Sequence, residues 1–181
     1  RAYSASSWTP PATASIFTSL LPFQHGVYRG FFVTKQMQKS NPAIELNRIP
    51  DRALTIAEVM RESGYKTYAV TDNINVSRME GFDQGFDKFK NFNYQSAEAV
   101  NNQLIEWKKE IEAGGHYFLY LHYMDPHKPY LKRSPWFVNK YDKKLNLVEA
   151  YDSEISYVDS KIKEMFDLFG WRDNTLVIVS S

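Results

Sequence analysis

The sequence predicts an α/β fold in which a parallel β-sheet is sandwiched between helices. Three observations carry this. Three apolar runs of strand length, "KTYAV", "HYFLYLHY" and "NTLVIVS", are spread along the chain, and each follows a segment with helical character. The runs are apolar nearly throughout, as in strands covered on both faces, instead of alternating as in a sheet with one wet side. Helices placed between such strands supply the crossover connections a parallel sheet needs.

The elements follow in chain order. In "TPPATASIFTSLL", Pro10 and Pro11 fall in a first helical turn, where a missing N–H costs little, and Thr9 before them reads as an N-cap. "PFQHGVYRGFF" leads into a polar loop reaching Asp51. "TIAEVMRESG" has the capping-box form, with Thr55 three residues before Glu58 and Gly64 placed to stop the helix. "KTYAV" is the first strand. Residues 71–95 turn to Asn, Asp, Gly and Phe, including "GFDQGFDKF", and read as a loop region whose aromatics anchor it. Ser96 opens a helix running to Ala113, ended by Gly114 and Gly115. "HYFLYLHY" is a buried strand, and "MDPHKPYLKRSPW" is a loop by its prolines. A long helix spans about 145–169, with Val148, Tyr151, Ile155, Val158, Ile162, Met165 and Phe169 spaced as one packed face. "NTLVIVS" closes the chain as a third strand.

Bulk composition narrows the function. A chain of 181 residues with 43% hydrophobic and 15% aromatic content can bury the core of one domain or a large part of one. Lys and Arg number 22 against 21 acidic residues, so no bias toward polyanions exists and nucleic acid is not an expected partner. With no cysteine, disulfides, thiolate metal sites and thiol catalysis are excluded. No apolar run approaches the roughly 20 residues of a membrane span.

In a parallel sheet covered by helices, chemistry gathers outside the carboxyl ends of the strands. "TDNINVS" follows the first strand and "MDPHKPY" the second. A hydroxyl at Thr9, beside helix-start N–H groups, is either a cap or a nucleophile toward an oxyanion ester. His127, held between Asp125, Pro126 and Pro129, can protonate a leaving group or bind an anionic oxygen. His122 ends an apolar strand and is read as structural, as are His25 and His116.

Taken together, these stretches resemble the sulfatase family of the alkaline phosphatase superfamily, over nearly the whole chain. The family's signature runs from a nucleophile through Pro, Ser and Arg to a helix with Thr, then Pro and His-Gly. On this sequence Thr18, Pro22 and His25-Gly26 take the later positions, which puts Thr9 at the nucleophile and Pro11 at the signature proline. Ala12 and Thr13 stand where the signature has Ser and Arg. "GFDQGFD", "HYMDPHKPY" and "YDSEISYVDSKI" with "DNTLVIVSS" are similar to further family segments in family order.

The resemblance implies an alkaline-phosphatase-like fold and a metal-dependent hydrolase or transferase acting on a small anionic ester, sulfate or phosphate. Thr9 would be the metal-bound nucleophile, as in the superfamily's phosphodiesterases and transferases, since formylglycine arises from Cys or Ser. His127 would serve the leaving group, in a cleft shared with Thr9, and Asn73 or its neighbour Asn75 would touch substrate. The cofactor implied is a divalent metal ion (Ca, Mg, Mn or Zn). Its remaining ligands are expected outside residues 1–181, which read as part of a single catalytic domain lacking its first strand and its C-terminal metal-ligand segment, and inactive alone. A sulfatase-like binding or structural module without catalysis is the alternative.

Overall fold

The computed structural model describes residues 3–138 and 146–180, and the chain divides into two compact units. The first takes in the chain up to Asn93 together with Lys109–His122; the second takes in Tyr94–Lys108 and the chain from Tyr123 onward. Leu145 and Ser181, which the sequence places in the long helix and after the third strand, lie outside the described residues.

The first unit contains helices α1 (Thr9–Thr18), α2 (Pro22–His25), α3 (Phe31–Gln38) and α4 (Ile56–Glu62), and strands β1 (Lys66–Thr71), β2 (Lys88–Asn91) and β3 (Tyr117–His122). The strands form one parallel sheet in the order β2-β1-β3. Thus "KTYAV" and "HYFLYLHY" lie parallel as predicted. β2 was not predicted: a four-residue strand, KFKN, carries two lysines and one inward aromatic, too short for a periodic signal. α3 also escaped the sequence, because Gly30 precedes it without a side-chain cap.

Two expectations about strands are corrected. "NTLVIVS" forms no strand, and Leu176 and Ile178 are 86% and 80% exposed. An apolar run becomes a strand only where a second backbone takes up its N–H and C=O groups, and none of the described strands pairs with this one. β3 is half-buried along its whole length instead of buried, because β1 is its only neighbour among the described strands.

Register defines what each face carries. Thr67, Ala69 and Thr71 pair with Phe118, Tyr120 and His122 of β3, and Ala69 and Thr71 pair with Phe89 and Asn91 of β2. Alternation puts all of these on one face. Phe17 of α1 is fully buried there, with ring centroids 4.8 Å from Tyr120, 5.5 Å from Phe82 and 5.9 Å from Phe86. Phe82 and Phe86 come from "GFDQGFDKF", so its aromatics are anchors as expected. Ala57 of α4 joins the same cluster. On the opposite face, the Tyr68 hydroxyl and Lys88 both reach Glu110, in the last turns of α5 (Ala97–Ala113).

The capping box of α4 is formed: the Glu58 N–H donates to Thr55 Oγ1 at 3.2 Å and the Thr55 N–H to Glu58 Oε2 at 2.8 Å. Thr55 Oγ1 also donates to the Gln84 carbonyl, tying the helix start to the aromatic loop. There Gly85 has φ +87°, and a Cβ on it would sit 2.2 Å from the Glu58 nitrogen and 2.6 Å from the Ala57 carbonyl carbon. Only glycine satisfies both demands.

In the second unit, the first turns of α5 accompany α6 (Asn146–Phe169). The apolar positions of α6 do not all pack: Val148, Tyr151 and Ile155 are exposed, while Ala150, Ser153, Glu154 and Met165 are buried. Polar contacts explain the shift. The Leu131 N–H donates to Glu154 Oε1 at 2.7 Å and the Arg133 N–H to Ser153 Oγ at 3.1 Å, so the loop 131–133 covers a polar stripe of the helix.

Two stability predictions follow from the first unit. Gly85→Ala combines a left-handed backbone with a backbone clash, and urea unfolding should show a loss of roughly 3 kcal/mol or more. Glu80 is 1% exposed, neither carboxyl oxygen has a hydrogen-bond partner, and burial pushes its pKa from 4.5 up to about 8. The folded state therefore holds a proton that the unfolded chain releases, and Glu80's contribution is full below pH 4.5 and lost as pH rises through 8. Glu80→Gln should raise the Tm relative to the parent at pH 8.5 and much less at pH 5, with a slope difference of at most about 1.4 kcal/mol per pH unit.

Candidate functional site

At the carboxyl ends of the strands the inward face turns from apolar to polar within one step. Phe89, Ala69 and Tyr120 form one row; Asn91, Thr71 and His122 form the next. The Asn91 carboxamide N–H groups donate to Thr71 Oγ1 at 2.7 Å and to the Asn73 carbonyl at 2.9 Å, with the Val76 carbonyl at 3.3 Å. Thr71 Oγ1 donates to the Val76 carbonyl at 2.8 Å. The chain leaving β1 is thereby folded into a fixed turn. Asn73 is 2% exposed, and its Oδ1 accepts from the Asn75 N–H at 2.9 Å, a local bond typical of Asn in turns.

Asn75 in turn accepts from the Phe31 N–H through Oδ1. A Cβ on Gly30 would meet that oxygen at 2.4 Å and the Pro10 ring at 3.3 Å. Glycine at this position lets the start of α1 and the turn after β1 approach the same point. Thr9 lies next to Pro10, so the structure brings the nucleophile candidate toward the turn that carries Asn73 and Asn75.

Thr9 is not the cap the sequence suggests. It is the first helical residue; Trp8 occupies the cap position in extended conformation and makes no side-chain cap bond. The Thr9 side chain is half-buried, and its hydroxyl makes no hydrogen bond among the described residues. The expected row of helix-start N–H groups is also reduced. Pro10 and Pro11 have none, and the Ala12 N–H already donates to the Trp8 carbonyl. What remains for an anion is the Thr9 hydroxyl and its own N–H.

One turn further, Thr13 hydrogen-bonds Tyr120, whose hydroxyl lies 3.0 Å from His122 Nδ1. Burial pushes the Tyr120 hydroxyl well above the ordinary phenol range and lowers His122 to about 4. His122 is thus neutral at ordinary pH. The consistent proton arrangement is Thr13 O–H to Tyr120, Tyr120 O–H to Nδ1, and a proton on Nε2. His25 is structural, as read from the sequence: it is buried, Nδ1 accepts from the Val27 N–H at 3.0 Å, and Nε2 therefore donates to Ser15 Oγ at 3.1 Å. Burial lowers its pKa, against a bond to the Pro11 backbone.

The second unit holds His127, exposed on the loop after β3. Its Nδ1 is 2.8 Å from the Lys128 carbonyl, an oxygen that only accepts, so Nδ1 carries the proton. The Tyr94 hydroxyl is 3.2 Å from the same nitrogen, and the two rings meet edge to face at 5.6 Å. Tyr94 reaches this position with φ +54°, unusual for an aromatic residue. Nε2 is without a partner among the described residues.

Asp125 anchors that loop. One oxygen accepts from the Ala97 N–H at 2.8 Å at the start of α5, and the other from Arg133 Nη2 at 2.8 Å. Arg133 Nε donates to Glu154 at 2.7 Å while the guanidinium lies 4.2 Å above the Tyr157 ring. Burial raises the Asp125 pKa, opposed by Ala97 and Arg133. Tyr94, Tyr120, Arg133 and Asn91 carry no local motif, so sequence reading had no means of selecting them.

Among the described residues, no group of three or more His, Cys, Asp or Glu side chains is arranged to hold a metal ion, and no helix is long and apolar enough to cross a membrane. Thr9 by itself offers one oxygen donor, which does not make a metal centre.

Comparison with known proteins agrees with this architecture. The family model described as Sulfatase matches residues 1–181. Among solved structures, the chain is similar to the lipoteichoic acid synthase LtaP from Listeria monocytogenes, with a TM-score of 0.59 and 19% identity over 92% of this chain and 42% of that one. It is also similar to a protein in the alkaline phosphatase superfamily from Vibrio parahaemolyticus, with a TM-score of 0.40 and 23% identity over 61% of this chain and 32% of that one. The chain thus spans less than half the length of either. A search of curated proteins returned no match.

The His122 environment gives a direct prediction. Because its folded pKa is lowered to about 4 from 6.5, its contribution to stability is full above pH 6.5 and lost as pH falls toward 4. Imidazole NMR should show His122 as the Nε2–H tautomer, unchanged between pH 8 and 5.5. A midpoint near 6.5 would contradict the arrangement.

Proposed function

Because the chain belongs to the sulfatase family, we propose that it is part of a metal-dependent hydrolase or transferase of phosphate or sulfate esters in which the Thr9 hydroxyl is the attacking group. The observation that carries this reading is the state of that hydroxyl. It stands at the first residue of a buried-face helix, beside the turn after β1, and is spent neither on capping nor on any described neighbour. A threonine kept only for structure would be expected to cap the helix or bond a neighbour.

A divalent metal ion, held by further ligands from beyond the described residues, would lower the hydroxyl pKa and polarise the ester. Family members generally use such ions. This chain's own residues would then divide the work. Thr9 attacks through its oxygen as the hydroxyl proton is lost to solvent, and its N–H faces charge developing on the ester oxygens. Asn73 contributes by closing the turn that presents Asn75, and His127, once Nε2 has taken up a proton from solvent, gives that proton to the leaving oxygen as the ester bond breaks.

Thr9→Ala in the complete protein should abolish turnover of its preferred ester. Since no cap bond is lost, the Tm should move by an amount equivalent to less than about 0.5 kcal/mol. Thr9→Ser should retain measurable turnover, and chelator should remove activity that added metal restores. Turnover by Thr9→Ala equal to that of the parent would end the nucleophile assignment, and a parent without turnover in the presence of added metal would favour a non-catalytic binding module.

A further inference from the structure

An exposed imidazole on a loop ordinarily changes rotamer within nanoseconds. His127 is held at both backbone and ring. Its N–H donates to the Met124 carbonyl at 2.9 Å, closing a turn just past β3. Tyr94 meets its ring twice, with a hydroxyl 3.2 Å from Nδ1 and with ring centroids 5.6 Å apart, edge to face. The Lys128 carbonyl, 2.8 Å from Nδ1, requires the proton on that nitrogen, so the Tyr94 oxygen is a second acceptor for the same N–H. The lone pair of the neutral ring then sits on Nε2, on the far side from both oxygens.

Tyr94 reaches His127 from a backbone that disfavours it. Its φ is +54°, and Ser96 two residues on has φ +127°, in a region costly for any residue but glycine. With 50% of its surface exposed, Tyr94 gains little burial to offset this. The segment is kept in place by the Ala97 N–H, which donates at 2.8 Å to the buried Asp125, two residues before His127. Segment 94–97 and the loop bearing His127 are therefore tied at two points, and the second tie is the Tyr94 contact.

We propose that Tyr94 is the positioning residue of His127: its hydroxyl and ring hold the imidazole in the Nδ1–H form, with Nε2 directed outward. This deepens the reading of His127 as proton donor and rests on it. Nε2, protonated from solvent, gives that proton to the leaving oxygen as its bond to phosphorus or sulfur breaks, and the N–H electron pair returns to Nε2 as the neutral Nδ1–H ring is restored. Tyr94 neither gains nor loses a proton in this step.

Nitrogen NMR of the imidazoles in the complete protein, with the His127 signals identified by their loss in His127→Ala, should show the Nδ1–H tautomer for the parent. Tyr94→Gly suits φ +54° and should fold, yet should lose that tautomer preference, while Tyr94→Phe keeps the ring contact and should fall between. Parent-like His127 signals in Tyr94→Gly would overturn the proposal. Kinetics supply the second readout, on phenyl and para-nitrophenyl esters of methyl phosphate or of sulfate, whichever acid the parent turns over. Phenolate needs a proton on leaving far more than para-nitrophenolate does. Tyr94→Gly should therefore lower kcat about tenfold on the phenyl ester with KM little changed, and less than about twofold on the para-nitrophenyl ester. His127→Ala should show the same contrast more strongly, and adding Tyr94→Gly to it should cost nothing further. Equal losses on both esters, or a further loss in the double variant, would make Tyr94 merely structural and overturn the proposal. Should His127→Ala treat the two esters alike, the donor reading fails, and the tautomer comparison alone decides whether Tyr94 holds the ring.

Discussion

The first unit depends on where Phe17 is buried. Its ring closes a cluster with Tyr120, Phe82 and Phe86, and so joins α1, the edge strand and the aromatic loop in one contact. Burying a phenylalanine stabilises by about 1.5–3 kcal/mol, and each well-placed ring pair adds about 1 kcal/mol. The positional effect matters more than the energy. Two turns before Phe17 along the helix stands Thr9, and between them Thr13 meets Tyr120. Fixing one apolar side chain thus fixes the line of hydroxyls running along α1 at the carboxyl end of the sheet.

Polar groups are held differently in the two units. In the first, short side chains bind the backbone: Asn91, Asn73 and Asn75 each close a turn or an approach of two segments. In the second, a charged network does the same task. Arg133 bridges Asp125 and Glu154 and rests on Tyr157, so the loop bearing His127 is pinned near both of its ends. Both schemes leave the candidate catalytic atoms, Thr9 Oγ1 and His127 Nε2, without partners among the described residues.

Much of this architecture was legible in the sequence, for reasons that also explain the misses. Strands β1 and β3 announce themselves because each is long and apolar, and α4 because Thr55 and Glu58 satisfy each other's backbone locally. β2 was hidden, since its pairing is decided by β1 and not by its own four residues. "NTLVIVS" misled for the same reason in reverse, because apolarity alone does not supply a neighbouring backbone. At the site, position was readable but circumstance was not. The sequence located Thr9, yet its cap role depended on where the helix begins, and two prolines drew that boundary one residue earlier. The Thr13–Tyr120–His122 chain joins residues far apart in sequence, so only the parallel register could reveal it.

The Asn91 carboxamide carries a consequence for which sequences this fold accepts. It faces three oxygens, those of Thr71, Asn73 and Val76, and every one of them is met by its NH₂ end. Aspartate has nearly the same shape and would fit the space without strain. It would nevertheless bring an acceptor and a negative charge to three acceptors, converting attraction into repulsion at the exit of β1. Volume is therefore a poor guide to substitution here. Position 91 selects for the direction in which hydrogen atoms point, and spontaneous deamidation would spring the turn without displacing a single heavy atom beforehand.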